Sequence, residues 1–270
     1  MLKRMEMILS SPTGQLPPGV VELWSLSGEP EGLYSGLPKP YVEMIISLSG
    51  NHFWRSDRLS DPLNFSGGWI TPIQSGPRFA QTLGALHLVG ARLTIEAAVN
   101  LFGPAINRDS AYPIPLQDLI GAEAQLLQEQ LLELTTESSR MACLSRWISQ
   151  RLTHRPVIEI PTLRALAEMR WRADSLADYL GLSSRGLRKK FKNQLGVGPK
   201  FWLQLHRFDA LLGADVSQMN LAEVAAAFGY TDQAHMTSDF GRFAGRSPHN
   251  YLKARLDASA PTEAPHFLPD

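Results

Sequence analysis

The sequence predicts an α+β protein: a mainly β N-terminal domain followed by helices, then an all-α C-terminal domain. Three observations predict it. Runs of β-branched and apolar residues bounded by Gly and Pro fill residues 1 to about 100. Apolar residues at helical spacing take over from Pro115. Between residues 173 and 250, one pattern of short helix, glycine turn and second helix occurs twice.

In chain order, residues 7–40 mix short apolar groups with Pro12, Pro17, Pro18, Pro30, Pro38 and Pro40, a composition of extended edge segments and turns. Strands are expected over 41–48, ended by Gly50, then over 68–73 and along 83–95. Residues 96–102 form a short helix that Gly103-Pro104 stops. Helices follow over 116–134 and 138–152, split near 135–139. Leu127, Leu131 and Leu134 lie on one apolar face, and Met141, Leu144, Trp147 and Ile148 on another. These faces either cover the β core or pair two subunits.

The domain boundaries follow: a β-rich sensing or assembly domain over 1–152, a linker over 153–161 carrying Arg155-Pro156, a helical domain over 162–257 and a flexible tail over 258–270. The helical domain opens with a helix over 162–169. Ala173, Leu176, Ala177 and Leu180 then mark one helical face, Gly181 stands where a helix end needs positive φ, and Ser183 or Ser184 caps the next helix. On that helix Leu187 and Phe191 point one way; Arg185, Arg188, Lys189 and Lys192 fall on the other side. From Ser183 to Lys200 there are six basic residues and no acidic one, so this helix would meet a polyanion without repulsion. Leu176-Ala177, Gly181-Leu182, Phe191 and Gly196-x-x-Pro199 return as Val224-Ala225, Gly229-Tyr230, Phe240 and Gly245-x-x-Pro248, at an offset of 48 and then 49 residues. Between the copies a helix starts at Pro199 and carries Phe201, Leu205, Phe208 and Leu212 on one stripe. Asn220 with Glu223 makes a capping box, and Thr231 or Asp232 caps the last helix.

The formal net charge of zero hides an asymmetry. Residues 155–257 hold 15 Lys+Arg against 10 Asp+Glu, while the rest of the chain holds 11 against 16. A basic half joined to an acidic half gives the two parts different electrostatic roles.

These residues resemble the AraC/XylS-type bacterial transcription regulators. The resemblance is carried by Gly229-Tyr230-Thr231-Asp232-Gln233-Ala234-His235-Met236-Thr237-Ser238-Asp239-Phe240 with Gly245-Arg246-Ser247-Pro248. It is carried again by Leu182-Ser183-Ser184-Arg185-Gly186-Leu187 with Phe191-Lys192 and Gly196-x-x-Pro199, and it spans residues 157–255. It implies two helix-turn-helix units reading successive major-groove segments of double-stranded DNA. Base-reading positions then fall on Arg185, Arg188 and Lys189, long donors suited to guanine O6 and N7, and on Gln233, Ala234, Thr237 and Ser238. Ser184, Lys192, Lys200, Arg242 and Arg246 fall at phosphate-side positions. Ser238 stands where an Arg is usual and Gly241 where a basic residue is usual, and Asp239 adds a negative charge. The first unit is therefore expected to dominate affinity. His235 takes a structural or phosphate-side role. The N-terminal stretch resembles a domain found ahead of some such readers, through residues 42–50, 84–93, 101–103 and 115–121, but has Thr94-Ile95-Glu96 where relatives often have a Pro-Gly-Gly step. The resemblance implies a regulator that senses a small molecule or a partner, as a homodimer or a monomer.

A rival class is a cupin-like metal-dependent enzyme built on His52, Asp57, His87 and Glu96, but no pair has the His-x-His spacing of a metal site. No Gly-rich phosphate loop or nucleophile elbow occurs. The single cysteine, Cys143, excludes an intrachain disulfide or a thiolate cluster. No catalytic residue, metal or cofactor is expected. The N-terminus lacks a signal-type apolar run and no stretch approaches about 18 apolar residues, so the chain reads as cytoplasmic and not membrane-bound.

Overall fold

The computed structural model describes residues 6–9, 16–29, 33–55, 60–107, 112–152, 161–214, 219–251 and 267–269. Asp57, the linker residues 153–160 and most of the tail lie outside the described residues.

The N-terminal domain is one antiparallel sheet. Its strands are β1 (Glu6–Leu9), β2 (Val20–Gly28), β3 (Leu33–Gly36), β4 (Val42–Arg55), β5 (Leu63–Phe65), β6 (Gly68–Thr71), β7 (Arg78–Leu93), β8 (Ile114–Pro115) and β9 (Phe267–Pro269). The order is β1-β2-β7-β4-β6-β8, with β3 on β7 and β5 on β4. The tail expected to be flexible is described only at β9, which pairs with β3.

Two strands are longer than expected. Gly50 does not end β4, which continues to Arg55, and β7 begins at Arg78 rather than residue 83. The physical reason is a pair of register shifts, between Ser47 and Ser49 and between Ser49 and Asn51. They bend the β4–β7 ribbon without ending it, as bulges do. Below the bend the ribbon pairs with β2 and β6, and above it with β3 and β5.

Both faces of the bent sheet are apolar, which is why residues 42–48 read as a continuous apolar run rather than an alternating one. Leu23, Met44, Ile46, Val89 and Ala91 point to a face covered by helices. Trp24, Ile45, Trp69, Leu86 and Leu88 point to the other. The covering helices are α1 (Ile95–Phe102), α2 (Leu116–Ile120), α3 (Glu123–Glu133) and α4 (Glu137–Arg151), with a 3-10 turn at Pro104–Asn107. The single helix expected over 116–134 is broken at Gly121, whose φ of +61° starts a new helix direction. Leu127, Leu131, Met141, Leu144, Trp147 and Ile148 are buried in the core shared with the sheet, so this stripe covers the β core and is not available to pair subunits.

The C-terminal domain comprises α5 (Leu163–Glu168), α6 (Ala173–Tyr179), α7 (Ser184–Leu195), α8 (Pro199–Gly213), α9 (Leu221–Ala227) and α10 (Gln233–Ala244). Its buried apolar residues belong to the same cluster as the sheet's covered face, so the core runs without a break between the domains. Among the described residues no helix is long and apolar enough to cross a membrane.

Candidate nucleic-acid interface

Each expected helix-turn-helix feature is formed by local chemistry. Gly181 and Gly229 take φ of +63° and +70° at the two turns. Ser183, not Ser184, caps α7 by accepting a hydrogen bond from Gly186 N at 3.1 Å. Asp232, not Thr231, caps α10 by accepting from His235 N at 2.7 Å. The Asn220–Glu223 capping box closes in both directions at the start of α9. Each cap satisfies backbone donors that the first turn would otherwise leave open.

The helices α7 and α10 are oriented by what they bury. Leu187, Phe191 and Leu195 of α7 and Met236, Phe240 and Phe243 of α10 are buried. The spacer α8 holds both. Its Trp202 meets Phe191 edge-on at 5.7 Å, and its Phe208 meets Phe240 at 5.2 Å and Phe243 at 5.0 Å. The expected stripe of Leu205, Phe208 and Leu212 is buried and Phe201 partly so, but Trp202, Leu203, His206, Arg207 and Leu211 are buried as well. This helix is enclosed on most sides, as a rigid spacer requires.

Opposite the buried faces, Arg185, Arg188 and Lys189 on α7 and Gln233, Ala234 and Ser238 on α10 are exposed, with Thr237 half-buried. Lys200 is exposed at the start of α8 and Arg246 is half-buried. Several expected phosphate contacts already have protein partners. Lys192 Nζ donates to Gly196 O at 3.2 Å, closing its own helix end. Ser184 Oγ donates to Asp174 Oδ1 at 3.3 Å, and Arg242 donates to Gln204 Oε1 at 3.3 Å while lying over the Phe243 ring.

Asp239 corrects the expectation of a negative charge on the reading side of α10. Its side chain is buried and accepts from Arg207 Nη2 at 2.8 Å and from Gln204 Nε2 at 3.2 Å. Arg207 also donates to Gly229 O at 3.3 Å and lies 3.8 Å over the Tyr230 ring. A buried carboxylate is tolerated where a guanidinium and an amide satisfy its oxygens. The network ties α8 to the turn and helix of the second unit. The sequence held a signal for it: Met236, Asp239, Phe240 and Phe243 share one helical face, so Asp239 belongs with the packed residues. His235, expected in a structural or phosphate-side role, lies 3.4 Å from Thr231 Oγ1 and edge-on to Tyr230.

The β-rich domain sits directly on this reader. Asn107 Nδ2 donates to Leu195 O at 3.1 Å, at the end of α7, while its Oδ1 accepts from Ile73 N at 3.4 Å. Pro104 O approaches Gly196 so closely that a Cβ there would lie 2.5 Å away. Lys39 pairs with Asp209 of α8 at 3.6 Å. Burial pushes Lys39 down and Asp209 up from their ordinary pKa values, each against the attraction of the other. A Cβ placed on Gly245, just beyond α10, would lie 3.2 Å from Pro77 Cγ, so the same domain comes close to both units.

The two histidines of the metal-enzyme alternative have other partners. His52 uses both ring nitrogens, on Ser47 Oγ at 2.8 Å and Thr82 Oγ1 at 3.0 Å, and His87 pairs with Glu137 of α4 at 3.1 Å. Glu96 lies in the first turn of α1, where burial raises its pKa. Among the described residues no three His, Cys, Asp or Glu side chains cluster as a metal site.

In comparison with known proteins, residues 176–254 match the family model described as a helix-turn-helix domain. No curated protein matches the chain. Among solved structures, ToxT from Vibrio cholerae O395 is similar at 12% identity over 86% of this chain and 96% of that one, with a TM-score of 0.43. Unsaturated fatty acid bound wild-type ToxT from Vibrio cholerae strain SCE256 is similar at 11% identity over 89% and 97%, with a TM-score of 0.45. The AraC-like transcriptional activator CuxR is similar at 14% identity over 78% and 87%, with a TM-score of 0.30. The two glycine turns, the capped second helices and the family match make residues 176–254 of this chain a helix-turn-helix domain of the AraC/XylS type.

Proposed function

We propose that the protein is a sequence-specific DNA-binding transcription regulator of the cytoplasm whose β-rich domain senses a small molecule and controls how the two reading helices are presented. The observation that carries the DNA reading is the exposed side of α7: Arg185, Arg188 and Lys189 stand clear of the core on a helix anchored by Leu187, Phe191 and Leu195. Such a helix fits the major groove with long donors toward base edges. On α10, Gln233, Thr237 and Ser238 take the corresponding positions, with Ser184, Lys192, Lys200, Arg242 and Arg246 toward phosphate. Control by the first domain follows from its seat on α7, α8 and the end of α10. A ligand that changes this seat changes the relation of the two units, by as much as its affinities for the two arrangements differ.

The test is selection of genomic fragments by the full-length protein, followed by titration of the enriched site at several salt concentrations. Arg188→Ala is expected to cost about 1–3 kcal/mol and to relax discrimination at one base step, whereas Lys200→Ala should weaken all sequences alike and lower the salt slope by about one. Absence of any enriched site at every salt concentration, with and without cell extract, would sink the reading.

A second reading gives the β-rich domain an assembly role only, in a homodimer. Leu126 and Leu132 on α3 favour it, being large apolar side chains left 57% and 51% exposed. Sedimentation of the wild type beside Leu126→Ser/Leu132→Ser decides it; an unchanged monomer in both rejects the reading.

A further inference from the structure

The strand β3 has a neighbour on each side. One edge pairs with β7, from Leu33↔Gln81 to Gly36↔Arg78. The other pairs with β9 over Tyr34↔Pro269, Ser35↔Leu268 and Gly36↔Phe267. A strand that follows the reader in the chain thus closes an edge of the first domain's sheet, where β3 would otherwise present a row of open backbone donors and acceptors. The hydrogen bonds of this ladder can be placed. Directly opposed residues of an antiparallel pair alternate between exchanging two hydrogen bonds and exchanging none. Pro269 has no N–H to give, so its pair with Tyr34 exchanges none and Ser35↔Leu268 is the pair that exchanges two. Along β3 the N–H of Ser35 then points to β9, and those of Tyr34 and Gly36 point to β7.

The end of β3 at which β9 enters is the end that rests on the reader. Phe267 opens the ladder opposite Gly36, which pairs on its other side with Arg78. The two residues before Arg78 lie against the end of α10: a Cβ on Gly76 would come 3.5 Å from Arg242 O, and one on Gly245 would come 3.2 Å from Pro77 Cγ. Three residues past Gly36, Lys39 pairs with Asp209 of α8 at 3.6 Å. On the reader's side, Tyr251 beyond α10 is buried and meets the Phe240 ring edge-on at 5.4 Å. Fifteen residues join Tyr251 to Phe267. The reader is therefore held to this corner of the sheet twice, through the contacts of Pro77 and Lys39 and through the chain itself. Tethering raises the local concentration of a segment, so a ladder of only three pairs can form. A short ladder at an edge also opens more readily than the sheet it borders, so it can be released while the domain stays folded.

We infer that β9 is a latch: the outer edge of β3 is a docking site for the chain's own extended segment Phe267–Pro269, and its occupation keeps the first domain seated on α8 and the end of α10. This inference goes beyond DNA reading, and its test does not depend on it.

The test is residue-resolved amide exchange of the full-length protein beside Leu268→Pro, Leu268→Ala and a chain ended after Asp257, with circular dichroism confirming that each is folded. Leu268→Pro removes the N–H that β9 gives to Ser35, whereas Leu268→Ala keeps it. In Leu268→Pro and in the shortened chain the Ser35 amide is expected to exchange about tenfold faster or more, with Tyr34 and Gly36 held by β7 and changing less. The Gly245 amide, which donates to Gly241 O at 2.9 Å at the end of α10, should exchange about threefold faster or more as the seat beside it loosens. Leu268→Ala should match the wild type at both positions. Unchanged exchange at Ser35 in the shortened chain overturns the docking. Faster exchange at Ser35 with Gly245 unchanged overturns the latch, since β9 would then only cover an edge. Sedimentation tests the other occupant of the edge: a wild-type dimer that becomes a monomer in the shortened chain would mean that β9 is exchanged between two copies, and overturns docking within one chain.

Discussion

Asp239 shows how a single residue changes the account of the reader. On the surface of α10 it would repel phosphate; buried against Arg207 and Gln204 it fastens the second unit to the spacer α8. Removing one partner of a buried pair leaves the other charge stranded, so Asp239→Ala is expected to lose about 3–5 kcal/mol of stability by denaturant unfolding. The double variant Asp239→Leu/Arg207→Met removes both charges and should recover a large part of that loss. If the two variants are equally destabilised, the pair is not the cause. His206 on the same helix is 8% exposed, and burial pushes its pKa down to about 3. The unfolded chain then takes up a proton from about pH 6.5 downward that the folded chain refuses until about pH 3. The contribution is neutral above that window and falls as pH drops through it, by up to about 1.4 kcal/mol per pH unit. His206→Phe should unfold less steeply with acid than the wild type; parallel curves would show that this histidine is not buried as described.

At the scale of elements, the helices of the reader were legible because their signals are local. Caps, glycine turns and 3.6-residue spacing act within a few residues, and Ser183, Gly181, Asn220 and Glu223 do what their chemistry implies. The strands were less legible, since β4 passes through Gly50 and β7 starts before its apolar run. Pairing with a long neighbour overrides the stop signal of one glycine. The end of α7 joins local and distant causes. Gly196 has φ of +76° and also lies against Pro104 of the other domain. Gly196→Ala strains both, and is expected to cost about 1–3 kcal/mol and to loosen the domain seat, read as faster amide exchange over α7 together with a lower melting midpoint. A melting loss with unchanged exchange at α7 would confine the glycine's role to its own helix end.

For the whole molecule, the seat of the β-rich domain on α7 and α8 is the feature that turns two modules into one device. Asn107, hydrogen-bonded to Ile73 and Leu195, and the Lys39–Asp209 pair hold it. Asn107→Ala/Lys39→Met is expected to change affinity for the selected DNA site about fivefold to thirtyfold, a coupling of about 1–2 kcal/mol. Base discrimination should stay as in the wild type, because no base-reading side chain is altered. Titration of the site and of its single-base variants checks this, and an unchanged affinity would show that the seat does not govern reading.

The sequence by itself determined the α+β class, the duplicated helix-turn-helix unit, its caps and turns, and the outward basic side of α7, because each depends on neighbours within one or two turns. Only the tertiary structure decided that Asp239 meets Arg207 and Gln204, that Leu127, Leu131 and Trp147 are spent on the sheet, and that Trp24, Trp54 and Trp69 line one cavity. Those outcomes depend on strand register and helix docking between residues far apart in the chain. A one-residue shift in that register would send every tryptophan of the cavity wall to the opposite face.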